Sequence, residues 1–186
     1  MKGLCIVLPA KPNMEGKLTD LKLIFQRVSQ GDLEALGVLY NEVAPKIYGL
    51  ALWRTRSSDA ASDVVQEVFV KLAIRSKTLN SVRNPLRYVL RMAHHACIDR
   101  FRELRNYPKE EILVVPETKP IDDYAICLSI LIGELPADQR EAIYLRYFVG
   151  MSFREIAAAT EMNLFTVASR CRLAIRKLRA RLGETK

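Results

Sequence analysis

The stretch from Leu135 to Leu182 constrains the chain most, because three apolar periodicities of helical spacing follow one another with breaks of only a few residues. Its first segment opens on Leu135-Pro136, where a proline at the first helical position costs little because that N–H has no intrahelical partner, and stops at Val149-Gly150. The second opens at Ser152 with Glu155 three residues on, the spacing of a capping box, and carries Phe153, Ile156, Ala157 and Thr160 as its inner stripe. The third opens at Asn163, a favourable N-cap, and sets Val167, Cys171, Ala174, Ile175, Leu178 and Leu182 on one side. Ser169, Arg172 and Arg176 project from the other side, with Phe165 and Leu173 beside them. Between Leu164 and Gly183 stand six basic residues (Arg170, Arg172, Arg176, Lys177, Arg179, Arg181) and no Asp or Glu. Cations near a helix C-terminus also complement the macrodipole, so charge alone decides little. A short helix, a tight turn and a one-sided basic helix in that order form the pattern of a helix-turn-helix whose last helix enters a DNA major groove.

The rest of the chain fits an anionic partner. With 186 residues there is room for one ordinary domain or two small ones, and a net charge of +8 favours nucleic acid without specifying a fold. Cys5, Cys97, Cys127 and Cys171 are far apart and form no CxxC pair, so neither a zinc site nor a disulfide framework is indicated; Cys97 and Cys171 read as buried thiols of a cytoplasmic protein. No apolar run is long enough to span a bilayer, and LCIVLPA near the start lacks the features of a secretory signal. Residues 1–17 read as a flexible tail, with Met14 an alternative start.

From Leu18 to Trp53 the spacing is helical and no strand-like alternation is sustained, which predicts an all-α fold. Leu21, Ile24, Phe25 and Val28 form a first stripe; Asp32 caps a second, continued by Leu33, Leu36, Leu39 and Tyr40; Pro45 interrupts it, and Ile47, Leu50, Ala51 and Arg54 resume. In the next helix Val65, Val68, Phe69 and Leu72 point inward while Asp63, Gln66, Glu67 and Val70 face out. Such an acidic face is commonly just solvated, or else docks a basic partner helix. Residues 75–83 read as a polar loop leading to Asn84-Pro85, an N-cap and first helical residue. The helix that follows buries Leu86, Val89, Leu90, Ala93, Cys97, Phe101 and Leu104 and turns Arg87, Arg91, His94, His95, Arg102 and Arg105 outward. Neighbouring histidines do not face each other on a helix and no third ligand is near, so no metal is expected, and no cofactor motif or catalytic constellation is present. Residues 106–134 hold two Lys against six Asp or Glu, and three prolines lie between Tyr107 and Tyr124; this reads as an acidic linker, 107–123, between domains at 18–106 and 124–186.

Taken in order, DVVQEVFVKL at 63–72, NPLRYVLRMAHHACIDRFRELR at 84–105, and LPADQREAIYLRYFVGMSFREIA with TVASRCRLAIRKLR resemble the extracytoplasmic-function group of sigma-70 family RNA polymerase sigma factors. The resemblance covers about residues 20–182. It implies two small helical domains, region two and region four, and a transcription initiation factor that is not itself an enzyme. By that likeness Asp63, Gln66, Glu67 and Phe69 would dock on the beta-prime clamp helices of core polymerase, and region four on the beta flap. Lys77, Asn80, Ser81 and Asn84 would capture an unstacked minus-ten base, with Arg87, Tyr88, Arg91, His94 and Arg102 along the strand. Arg154, Thr166, Ala168, Ser169, Arg170, Arg172, Leu173, Arg176 and Lys177 would meet the minus-thirty-five element. An anti-sigma factor is implied as a further partner. The chain departs from the family pattern where relatives carry a basic residue at Ala168 and near Leu173, and a glycine at Phe165 and Glu161. The competing reading is a stand-alone helix-turn-helix regulator, which would have no use for the carboxylate face at Asp63, Gln66 and Glu67.

Overall fold

The computed structural model describes residues 15–104, 128 and 130–183, and among them every regular element is helical. Helix α1 spans Glu15–Ser29, α2 Leu33–Thr55, α3 Ser58–Ile74 and α4 Pro85–Leu104; α5 spans Ala137–Ile143, α6 Phe153–Thr160 and α7 Leu164–Arg181. The tail expected through residue 17 lies partly, and the linker at 107–123 wholly, outside the described residues, as does Arg105.

Local chemistry sets most of the boundaries. Gly31, at φ +89°, turns the chain out of α1, and the Asp32 carboxylate accepts from the Ala35 N–H (3.0 Å) to start α2. That backbone donor, together with Arg27 beside it, holds the Asp32 carboxyl below its ordinary value. Ser57 caps α3 through Ala60, Asn84 caps α4 through Arg87, and Asn163 caps α7 through Phe165. The capping box at Ser152 is complete: Ser152 Oγ accepts from the Glu155 N–H, and the Glu155 carboxylate accepts from the Ser152 N–H at 2.8 Å.

Four local expectations need correction. Pro45 does not interrupt a helix; α2 runs unbroken from Leu33 to Thr55, and the missing proline donor falls on the outer face, where Asn41 and Pro45 line a surface groove. Leu33 and Tyr40 do not join the buried stripe, being 81% and 49% exposed, whereas Leu39 is fully enclosed. Residues 76–81 are a 3₁₀ turn rather than a loop, anchored by the buried Leu79. Pro136 is the N-cap of α5 and not its first helical residue. The helix that ends at Val149 closes through a π turn at Tyr144–Phe148, in which the Val149 N–H donates to the Tyr144 carbonyl (3.1 Å).

Helices α2, α3 and α4 form one bundle, with α1 packed over α2, α4 and the 3₁₀ turn; α5, α6 and α7 form a second. The two are not separate cores. Buried residues run continuously from Phe25 and Ile47 through Val89 and Ile143 to Val167 and Leu178, and α2 packs on α5 as α4 does on α6.

Candidate protein and nucleic-acid interfaces

Three surfaces carry the residues singled out by sequence. The first lies on α2 and α3. Asp63 and Gln66 are exposed, and Glu67 is half-buried and paired with Lys71 one turn on. Phe69 is partly buried, its ring against the exposed Tyr40 at 4.8 Å between centroids. Beside them a groove of about 540 Å³ is bounded by Tyr40, Pro45, Tyr48, Val65 and Gln66. An acidic margin next to an apolar groove, with Val70 and Ile74 also exposed, suits a partner helix that is both basic and apolar.

The second lies on the 3₁₀ turn and the first three turns of α4. Lys77, Asn80 and Ser81 are exposed, and Ser81 Oγ donates to the Thr78 carbonyl at 2.8 Å. Asn84 is half-buried and spends its side-chain oxygen on the cap. Ser81, Arg83, Asn84, Arg87, Tyr88 and Arg91 line a cleft of about 490 Å³, within the general range of small-ligand pockets. Tyr88 stands in its wall, half-buried and perpendicular to the Phe25 ring (6.4 Å, 89°), an aromatic side chain of the kind on which a base can stack. Arg102 is exposed further along α4, 3.9 Å from Asp99.

The far wall of this cleft is Ala158 of α6, and beyond it the second bundle takes over part of the α4 face. Arg91 pairs with Glu161, and His95 lies 3.6 Å from the same carboxylate. His94, expected on the outward face, is only 5% exposed: its Nδ1 lies 2.5 Å from the Glu141 carboxylate of α5. Periodicity on α4 alone cannot foresee this, because the covering element lies 47 residues away.

Glu141 is the centre of the seam between the bundles. Its other carboxylate oxygen pairs with Arg54 at the end of α2, and Arg54 also reaches Asp138 at 3.2 Å. Arg140, the next residue back, inserts between the bundles and donates to the carbonyls of Trp53, Arg54, Gly133 and Leu135. Two of these are terminal carbonyls of α2, which no intrahelical N–H reaches, so a guanidinium from α5 completes the end of α2. Burial, with Arg56 and Arg54 nearby, lowers the Arg140 pKa to about 10, and the group stays charged at neutral pH. Above it Trp53 packs on Tyr144 and Phe148 at 5.4 and 4.7 Å, and the Tyr144 hydroxyl donates to the Lys46 carbonyl (3.2 Å). Gly49 makes room for that phenol; a Cβ there would lie 2.1 Å from its oxygen. Sequence reasoning missed the seam, though its signal was present: Arg54 stands at helical spacing from Ile47, Leu50 and Ala51, and Glu141 from Tyr144 and Leu145, a charged residue on each apolar stripe.

The third surface is the outer face of α7. Phe165, Ser169, Arg172 and Arg176 are exposed and, at about 100° per residue, lie within roughly 60° of one another. Thr166 and Lys177 are exposed on its flank, Ala168 and Leu173 are half-buried, and Arg154 is exposed on α6. Arg170 departs from expectation: it is half-buried and pairs with Asp138 at 2.8 Å, so it ties α7 to α5 rather than joining the stripe. On the inner face Cys171 Sγ donates to the Ala142 carbonyl, and burial raises its thiol to about 11. Cys97 is likewise pushed up by burial, so neither thiol is poised to react.

Known proteins share this fold. The family description "Sigma-70 region 2" matches residues 39–107 and "Sigma-70, region 4" matches 126–178, together well over half of the chain. The "ECF RNA polymerase sigma factor SigK" of Mycobacterium sp. (strain KMS) is 25% identical over 177 residues, covering 89% of this chain and 92% of that one. Its namesake in Mycobacterium tuberculosis (strain ATCC 25177 / H37Ra) is 27% identical over 173 residues, with coverages of 87% and 92%. In fold the chain is similar to CnrH in complex with the cytosolic domain of CnrY (TM-score 0.66, 21% identity, 89% of this chain and 98% of that one). It is equally similar to the sigma factor RpoE in complex with the anti-sigma factor NepR from Bartonella quintana (TM-score 0.67, 20% identity, 83% and 100%). The chain belongs to the sigma-70 family and is a sigma factor of its extracytoplasmic-function group, with region 2 in the first bundle and region 4 in the second.

Proposed function

We propose that this sigma factor binds core RNA polymerase through the α2–α3 surface and directs it to a subset of bacterial promoters, the polymerase supplying all of the chemistry. Asp63, Gln66, Glu67 and Phe69 dock on the beta-prime clamp helices, and region 4 engages the beta flap. The cleft at Ser81, Asn84 and Tyr88 takes an unstacked minus-ten base, Lys77 and Asn80 lie at its approach, and Arg87, Arg91 and Arg102 follow the strand. The exposed stripe of α7, with Arg154 and Thr166, meets the minus-thirty-five element. Domains at 18–106 and 124–186 are joined by an acidic linker at 107–123. The factor works in the cytoplasm and is restrained by an anti-sigma factor. No helix among the described residues is long and apolar enough to cross a membrane.

The observation that carries this reading is the coexistence on one chain of two sigma regions in order, an exposed carboxylate face beside an apolar groove, and two basic helical faces. Engagement of the strand has to exchange Glu161 for phosphate at Arg91 and His95. His94 is free to join them only if it leaves Glu141.

Transcription in vitro from a promoter library with purified core polymerase tests the whole reading: promoter-dependent initiation supports it, and none at all refutes it. Charge reversal of the docking face, Asp63→Lys with Gln66→Lys, is expected to weaken core binding at least 10-fold while the circular dichroism spectrum is unchanged; wild-type binding would refute the docking assignment. Arg172→Ala and Arg176→Ala should each lower upstream affinity and flatten its dependence on log salt by about 0.9 per lost phosphate contact.

A further inference from the structure

The exposed stripe of α7 begins with a side chain that phosphate attraction does not explain. Phe165 is 81% exposed, and it shares its face with Ser169, Arg172 and Arg176, the side chains suited to base edges and phosphates. Its position is fixed rather than incidental, since the Asn163 side chain accepts from the Phe165 N–H at 2.8 Å and so pins the first turn. In a helix laid in a major groove, residues of the first turn are the ones that reach base edges. A phenyl ring can neither donate nor accept a conventional hydrogen bond, so the donors and acceptors of guanine, cytosine and adenine give it nothing. Thymine alone presents an apolar group there, its 5-methyl. A ring already exposed to water gains by covering that methyl, because both apolar surfaces are dehydrated together.

We infer that Phe165 is a specificity-determining residue that reads the 5-methyl group of a thymine in the upstream promoter element. This rests on the promoter-binding reading above. Ser169, which both donates and accepts, tolerates several bases, and Arg172 and Arg176 hold the backbone or a guanine. The preference assigned to Phe165 is therefore separable from theirs.

The test uses the full chain with core polymerase on templates randomised in the upstream element, comparing wild type, Phe165→Ala and Phe165→Leu. Wild type is expected to enrich thymine at one position; Phe165→Ala should lose that preference alone, and Phe165→Leu should keep part of it. Replacing the selected thymine by deoxyuridine, which removes only the methyl, should reduce wild-type initiation about 4-fold, the worth of one buried methyl group. The same replacement should leave Phe165→Ala unchanged. Identical selected sequences from wild type and Phe165→Ala, or an equal deoxyuridine effect in both, would overturn the inference. A Phe165→Ala defect confined to the amount of core polymerase required would overturn it as well, by making the ring a protein contact. Failure of wild type to initiate on any template would sink the functional reading and this inference with it, a result visible before any variant is compared.

Discussion

Glu141 is 1% exposed and carries two partners from the other bundle, Arg54 and His94. A carboxylate that deep is tolerated only because its charge is matched, and removing it takes from the buried Arg54 its most buried carboxylate partner, leaving the more exposed Asp138. Glu141→Ala is therefore expected to destabilise the protein by about 3 to 5 kcal/mol in urea unfolding. Glu141→Leu combined with Arg54→Met should recover most of that loss, because neither charge of the buried pair then has to be desolvated. Gly49 gives a prediction of mixed sign. Alanine at a mid-helix glycine normally gains about 1 kcal/mol of helix stability, but here the added methyl would collide with the Tyr144 phenol. Gly49→Ala should make α2 locally more protected in hydrogen exchange while loosening its contact with the π turn, a pattern that uniform stabilisation or uniform damage would contradict.

At the scale of single helices the caps carry the argument. Asn163 accepts from Phe165 at the start of α7, and Asn163→Ala should cost about 1 kcal/mol, with the first turn of α7 fraying in amide exchange. The Asp32 cap adds a dependence on pH. Its folded pKa lies below 3.8, so its contribution is complete above that value and is lost as the pH falls through the lower folded one. The stability difference between wild type and Asp32→Asn should be constant near neutrality and vanish in the acid limb of a denaturation series. These elements were legible in the sequence because their causes are local: Asp32, Asn84, Ser152-Glu155 and Asn163 act over three residues at most, and the alternation of Val167, Cys171, Ala174 and Leu178 states which side of α7 is buried. Pro45 and Leu33 were misread for the same reason. Whether a proline breaks a helix, or a leucine is covered, depends on what the neighbouring helices leave open, and that information sits elsewhere in the chain. The candidate site divides along the same line. The exposed stripe of α7 follows from its own spacing, whereas the tethering of Arg170 to Asp138 and the burial of His94 require the second bundle to be in place.

Taken whole, the molecule is held shut by contacts of unequal worth. The seam at Arg140, Glu141 and Tyr144 is buried, while Arg91 and Glu161 meet at the rim with about half of each side chain exposed, where an ion pair contributes roughly 0 to 1 kcal/mol and weakens in salt. Glu161 stands at a costly place for this work. It ends α6 in left-handed backbone, φ 56°, a conformation that burdens an L-residue by about 1 to 2 kcal/mol and a glycine by almost nothing. Glycine there would relieve the turn and at the same moment discharge the rim. A Glu161→Gly protein should thus melt at a higher temperature in calorimetry, and its margin over wild type should widen as added salt screens the pair that wild type keeps. Ionic strength alone would then separate the relief of one backbone angle from the attraction given up with it.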